Sequence, residues 1–146
     1  MPHTPITTII GLMALITVFS IVVVTSSVWM YDVKASTGES ELRYVGAFMA
    51  FKVAEACRYA SQYGEVEVEV NLPLELSIGP YKVELTSSGT IVVSAVSLPH
   101  LKAEVDVPVG GVVFEDSEVY GGGAAGDYIK AWVEGGRVHV KLVTGG

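Results

Sequence analysis

The stretch "PITTIIGLMALITVFSIVVVTSSVWMY", residues 5–31, contains no Asp, Glu, Lys or Arg, and the first formal charge in the chain is Asp32. As an α-helix it would extend about 40 Å at ~1.5 Å per residue, enough to cross a hydrocarbon core of about 30 Å. Pro5 stands where a helix would begin, and there its missing N–H costs nothing. A secretory signal peptide has a basic n-region, a shorter apolar run and a small-residue cleavage site. No Lys or Arg precedes this run, and "VWMYDV" carries the apolar pattern past "TSS" at 25–27. The expectation is a retained helix.

Small and hydroxyl residues recur inside it: Thr7, Thr8, Gly11, Ala14, Thr17, Ser20, Thr25, Ser26 and Ser27. Hydroxyls bond back to their own helix, and small residues let neighbouring helices approach closely. Two readings follow: a membrane span that tolerates Thr and Ser, or a helix built to pack against copies of itself.

Residues 39–63, "ESELRYVGAFMAFKVAEACRYASQY", continue with helical spacing. Leu42, Val45, Phe48 or Met49, Lys52 or Val53, Ala56 and Ala60 recur at three and four, with most charges elsewhere. Ser36 and Glu39 have capping-box spacing, so the sequence allows a second helix start at Ser36 or a kink at Gly38. Tyr63-Gly64 supplies the stop. The division expected is 1–63, with an apolar part at 5–31 and an amphipathic part at 39–63, followed by a β-rich head at 64–146.

From Gly64 the period changes to two. "EVEVEVNL" (65–72) puts Val66, Val68, Val70 and Leu72 on one face; Glu65, Glu67 and Glu69 read as a solvated face. "YKVELTSSGTIVVSA" (81–95) reads as a hairpin turning at Ser87-Ser88-Gly89, with Leu85 opposite Ile91 and Val83 opposite Val93. "YIKAWVEGGRVHVKLV" (128–143) reads as a second, turning at Gly135-Gly136. Its register places Val133, Val138, Ala131, Val140, Ile129 and Leu142 in the core. Trp132 and His139 then pair on the opposite face beside Lys130 and Lys141, where a Trp wants cover.

"LKAEVDVPV" (101–109) and "GGVVFED" (110–116) add one or two strands, "YGGGAAGDY" (120–128) is a loop, and Pro73, Pro80, Pro99 and Pro108 mark strand boundaries. The fold class is α+β: a long N-terminal hydrophobic helix, then six or seven short antiparallel strands in a small Ig-like sandwich or rolled sheet. Residues 42–60 would cover part of its apolar face.

Nine Lys and Arg against sixteen Asp and Glu give a net charge of −7, which argues against nucleic acid as a partner. The single cysteine, Cys57, permits no internal disulfide and reads as a small buried packer. Asn71 and Gln62 are the only residues of their types, a bias that fits a thermophilic source. His3, His100 and His139 lack metal-ligand spacing, and no nucleophile-elbow, phosphate-loop or dinucleotide motif occurs. Glu115, Asp116 and Glu118 lack the spacing of a calcium loop. The sequence therefore reads as a non-enzyme without metal or cofactor.

A charge-free helix running into an amphipathic helix and an all-β head resembles the type IV pilin family, most closely archaeal type IV pilins and archaellins. The residues carrying the resemblance are 4–31, the helix down to "CRYASQYG" (57–64), and the strands from "VEVEVNLPLELSIGPYKVEL" (66–85) to "GGRVHVKLV" (135–143). The apolar run opens without the Glu of bacterial pilins, which favours the archaeal branch. "MPHTP" shows no basic leader.

The resemblance implies a filament subunit that waits in the membrane and then, with the pilus assembly machinery, bundles its helix with other copies. The β head would be displayed outside an archaeal cell, for adhesion or motility. Helix packing in the filament core is expected at Ile6, Ile10, Gly11, Ala14, Thr17, Phe19, Ser20, Val24 and Val28, and head–head contact at Trp132 and His139. The alternatives are a monomeric membrane-anchored protein whose head binds a surface partner, and a minor pilin-like assembly component.

Overall fold

The computed structural model describes residues 4–73, 75–121 and 126–145. The chain divides into two compact units, Met1–Ala35 and Ser36–Gly146. Helix α1 spans Thr4–Tyr63 without interruption, so neither a second start at Ser36 nor a break at Gly38 occurs. Ser36 instead offers its carbonyl to the Ser40 hydroxyl, at 3.1 Å. The helix ends where Gly64, at φ 90°, takes the left-handed conformation and donates its N–H to the Ala60 carbonyl at 2.8 Å.

Eight strands follow: β1 (Glu65–Glu69), β2 (Tyr81–Leu85), β3 (Thr90–Ala95), β4 (Lys102–Asp106), β5 (Val112–Phe114), β6 (Ser117–Tyr120), β7 (Tyr128–Glu134) and β8 (Arg137–Val143). They form two four-stranded sheets, ordered β1-β7-β8-β5 and β4-β3-β2-β6. The α+β class holds, with one strand more than the period-two reading anticipated. The extra strand is β6, four residues long and too short to announce itself by alternation. One pair also departs from the antiparallel expectation: β5 lies parallel to β8, Val113 opposite His139.

Both hairpin registers are as read. Leu85 faces Ile91 and Val83 faces Val93; Ile129 faces Leu142 and Trp132 faces His139. Gly135 and Gly136, at φ 62° and 79°, make the two-residue turn whose twist suits a hairpin. Within the loop expected at 120–128, residues 122–125 lie outside the described residues.

The head's core combines both sheets with the helix. Leu42, Val45, Met49, Val53, Ala56 and Ala60 are buried against Val83, Ile91, Val93, Val119, Ile129 and Val140. Of the paired helix choices, Met49 and Val53 go inward, while Phe48 is half-buried and Lys52 pairs with Glu55 at 3.9 Å. Cys57 is buried beside them. This shared core is why the compact boundary falls near Ala35–Ser36 and not at the helix–strand junction. One core assignment fails: Val133, beside the Gly135-Gly136 turn at the end of the β7–β8 pair, is 44% exposed.

Candidate functional site

Two surfaces carry the expected contact residues. The first is the N-terminal part of α1, where every residue from Pro5 to Lys34 is exposed. An 18-residue window within the helix reaches a mean hydropathy of 2.5, and the helix is long and apolar enough to cross a membrane. Its hydroxyls turn inward on the backbone. Thr17 donates to the Met13 carbonyl at 2.9 Å, and Ser20, Thr25 and Ser27 each bond four residues back at 2.8 Å. Those protons are already used, so these side chains add little polarity to the surface. A helix apolar all round belongs in lipid or in the middle of a bundle.

Helical geometry sorts the expected packing residues. At about 100° per residue, Ile6, Ile10, Ala14, Thr17, Ser20, Val24 and Val28 fall within one stripe roughly 120° wide. Gly11 and Phe19 fall outside that stripe, about 80° apart on the wheel. A Cβ added at Gly11 would meet nothing within 4 Å in the chain itself. The surface closes with Trp29 and Tyr31, 67% and 57% exposed, immediately before Asp32 and Lys34. Aromatic rings next to the first charges are the pattern of a membrane–water boundary.

The second surface is the outer face of β7 and β8. Trp132 and His139 stack with ring centres 5.6 Å apart and planes 18° apart. The Lys141 ammonium sits 5.6 Å from the Trp132 ring centre, and the indole N–H donates to Glu134 at 3.1 Å. These contacts all come from the hairpin itself and leave Trp132 half-buried. Phe48 turns instead to the core, and Phe51 is 58% exposed. Among the described residues, Nδ1 of His139 is the buried side-chain polar atom without a hydrogen-bond partner. Lys130 reaches Glu65 across the β1–β7 pair at 3.5 Å.

The pairing of β2 with β6 creates a third surface that the sequence did not disclose. Glu84 stands opposite Glu118, and a cleft of about 340 Å³ opens between Glu84, Thr86, Asp116, Ser117 and Glu118. Lys82 answers two of the carboxylates, at 3.0 Å from Glu84 and 3.7 Å from Glu118. Those contacts raise the Lys82 pKa, the hydrogen bond it donates to Glu84 most of all. Asp116 also accepts the Ser87 N–H at 2.7 Å, which holds the β2–β3 turn. Nothing in local spacing showed that residues 84 and 118 meet; only the strand order does.

Two buried groups shape the head without facing a ligand. Burial pushes the Cys57 thiol up to about 11, so it stays protonated and unreactive at neutral pH. Burial, helped by Asp127, pushes Tyr81 up to about 12, and its hydroxyl donates to the Pro73 carbonyl at 2.7 Å. Among the described residues no three His, Cys, Asp or Glu side chains gather as metal ligands. Comparison with protein-family models, with curated proteins and with solved structures found no match.

Proposed function

We propose that the chain is a structural subunit of an extracellular type IV pilus-like filament, held in the membrane before assembly and polymerised through its N-terminal helix. The observation carrying this reading is the charge-free helix surface from Pro5 to Tyr31, all of it exposed. Burying apolar surface is worth about 25 cal/mol per Å², so a helix this bare does not stay in water. Lipid and a bundle of identical helices are both apolar, and transfer between them exposes nothing to solvent. The self-bonded hydroxyls suit either environment. The compact head, by contrast, has a core of its own and a surface carrying most of the chain's charge.

The subunit reading accounts for both parts: copies contribute helices to the filament core and heads to its exterior, at an archaeal cell surface. Adhesion and motility are the roles such a fibre serves. The rival is a monomeric membrane-anchored surface protein, which needs the helix but gives no work to the half-buried Trp132 stack.

The test is negative-stain microscopy of material sheared from the surface of the source cells, with mass spectrometry of the fibres. Filaments containing this chain, with residues 5–31 protected from protease, are expected. Recovery only as a detergent-soluble monomer from the membrane fraction would overturn the reading.

A further inference from the structure

We infer that the outer face of β7 and β8 holds a binding site for an acidic sugar, a hexuronic acid residue, with Trp132 as its wall and Lys141 as the group that receives the carboxylate. The inference deepens the adhesion role proposed above and rests on that reading for its use.

A hollow of about 260 Å³ opens on this face between Gly64, Glu65, Lys130, Trp132, Val133 and Lys141. Pockets for drug-sized ligands run from about 300 to 1,000 Å³, so this one suits a single small ring. Its wall is apolar where the indole and the exposed Val133 lie. Its rim is polar: the Glu65 carboxylate accepts hydrogen bonds and the two ammonium groups donate them. A pyranose matches that division, with C–H bonds on its faces and hydroxyls around its edge. The indole is also set before a ligand arrives, since His139 stacks on it and Glu134 takes its N–H at 3.1 Å. A ring already held in place loses little freedom on binding.

The charges decide which sugar. Lys130 and Lys141 stand directly opposite each other on β7 and β8, an unfavourable pairing of like charges. Lys130 is answered from β1, where Glu65 reaches it at 3.5 Å and Glu67 is its register partner. Lys141 lies one strand further from β1, and its ammonium leans over the indole, 5.6 Å from the ring centre. Glu115, which follows β5 on the other side, makes no ion pair with it, nor does any other carboxylate among the described residues. At the turn, Glu134 and Arg137 face each other, so that end of the hairpin adds no net charge. Lys141 is therefore the cation left to be met. A carboxylate carried by the sugar supplies its partner beside the ring that the indole receives.

One such site is weak. A ligand of about a dozen non-hydrogen atoms binds with a Kd of about 1 mM at the efficiency of ordinary ligands. Repeating the site along a fibre raises the avidity by about 10²–10⁴, a gain that a lone anchored copy does not have. Trp132 thereby meets a glycan, where the sequence suggested a neighbouring head.

The test uses the full-length chain in a detergent without a sugar headgroup, carrying Trp29→Phe so that the emission comes from Trp132, the second of the two tryptophans. The probes are D-glucuronate, D-galacturonate, D-galactose and acetate. Galactose has the ring without the carboxylate, and acetate the carboxylate without the ring. At least one uronate should change the emission saturably near about 1 mM, with galactose and acetate at least about tenfold weaker. Lys141→Gln should lose about tenfold or more in affinity, as expected for one charge-assisted hydrogen bond, while Lys141→Arg keeps most of it. Arg137→Gln, outside the hollow, should match the parent. If Lys141→Gln does not fold, lysine acetylation of the parent chain decides: a uronate should protect Lys130 and Lys141 and leave Lys102 open. No saturation by either uronate up to about 100 mM, equal binding of galactose, or an equal loss in Arg137→Gln overturns the site. Those results leave the subunit proposal standing. Saturable uronate binding by a chain that never forms filaments does the reverse.

Discussion

The carboxylate of Glu41, on the helix, accepts two hydrogen bonds from Ser77, at 2.8 Å from the backbone N–H and 2.7 Å from the hydroxyl. One turn earlier on the same side, Gly38 lies against Ile78, and a Cβ there would overlap the Ile78 Cγ2 methyl. Helix and loop are thus fastened by a polar contact and a steric fit side by side. The fit explains why the helix tolerates a glycine worth about 1 kcal/mol less than alanine in propensity.

Gly38→Ala should therefore destabilise the head by about 1–3 kcal/mol despite its better helix propensity, since overpacking costs that much. Adding Ile78→Ala removes the obstructing methyl, so the two substitutions should be strongly non-additive in a double-mutant cycle. The measurement is urea unfolding of the detergent-solubilised chain, followed by a head-specific signal. Simple additivity would show that Gly38 is not held by Ile78.

The shared core yields a prediction about chain limits. A chain shortened to begin at Ser36 keeps Leu42, Val45, Met49, Val53, Ala56 and Ala60, all buried among the strands. It should fold cooperatively, as seen by a sharp thermal transition and dispersed amide resonances. One beginning at Gly64 loses that whole wall of the core and should be unfolded or aggregated. A folded Gly64 chain would mean that the sheets close on themselves without the helix.

How far the sequence reached follows from the range of its signals. Periodicity is local, so the helix, the buried choice of Leu42 through Ala60 and both hairpin registers were legible. Strand order is not local. The meeting of Glu84 with Glu118, the parallel run of β5 beside β8, and the fastening of Glu41 to Ser77 join residues 34, 26 and 36 positions apart. No spacing rule reaches that far. Val133 was misplaced for a related reason: alternation says which way a side chain points, and only the fold says whether anything lies there. At the N-terminal helix, composition revealed the apolar surface, while the wheel separates Gly11 and Phe19 from the stripe that Ile6 begins.

Alkaline pH should loosen the head through two groups. The unfolded chain releases the Cys57 proton near the ordinary value of 9.0 and the Tyr81 proton near 10.0, while the native head retains them to about 11 and about 12. In that interval the native state binds more protons than the unfolded one, so stability falls as pH rises. The contribution is complete below pH 9 and is lost progressively through 11 and 12. Denaturant midpoints should therefore be level up to pH 9 and decline above it. Cys57→Ala should remove the earlier part of the decline and leave the later part, which belongs to Tyr81. A flat profile to pH 12 would show that neither group is buried as described.

The helix stripe gives the most direct trial of assembly. Ala14 lies on the stripe with Ile6, Ile10, Thr17 and Val24, whereas Gly11 faces a different sector and has open space around it. In a bundle each helix touches several neighbours, and the closest approach falls where side chains are smallest. Ala14→Leu and Gly11→Leu both add bulk without adding charge, and neither residue touches the head's core. Membrane insertion and head stability should be unchanged, since leucine suits both lipid and helix. Filament yield should fall, most steeply for whichever position faces the tightest neighbour, so comparing the two variants orients the helix in the lattice. The measurement is pelleted filament per unit of membrane-inserted chain, with Leu12→Ile as a volume-conserving control expected to assemble normally. If both bulky variants assemble like the parent, the helix does not pack closely against its copies, and lipid is its permanent surroundings.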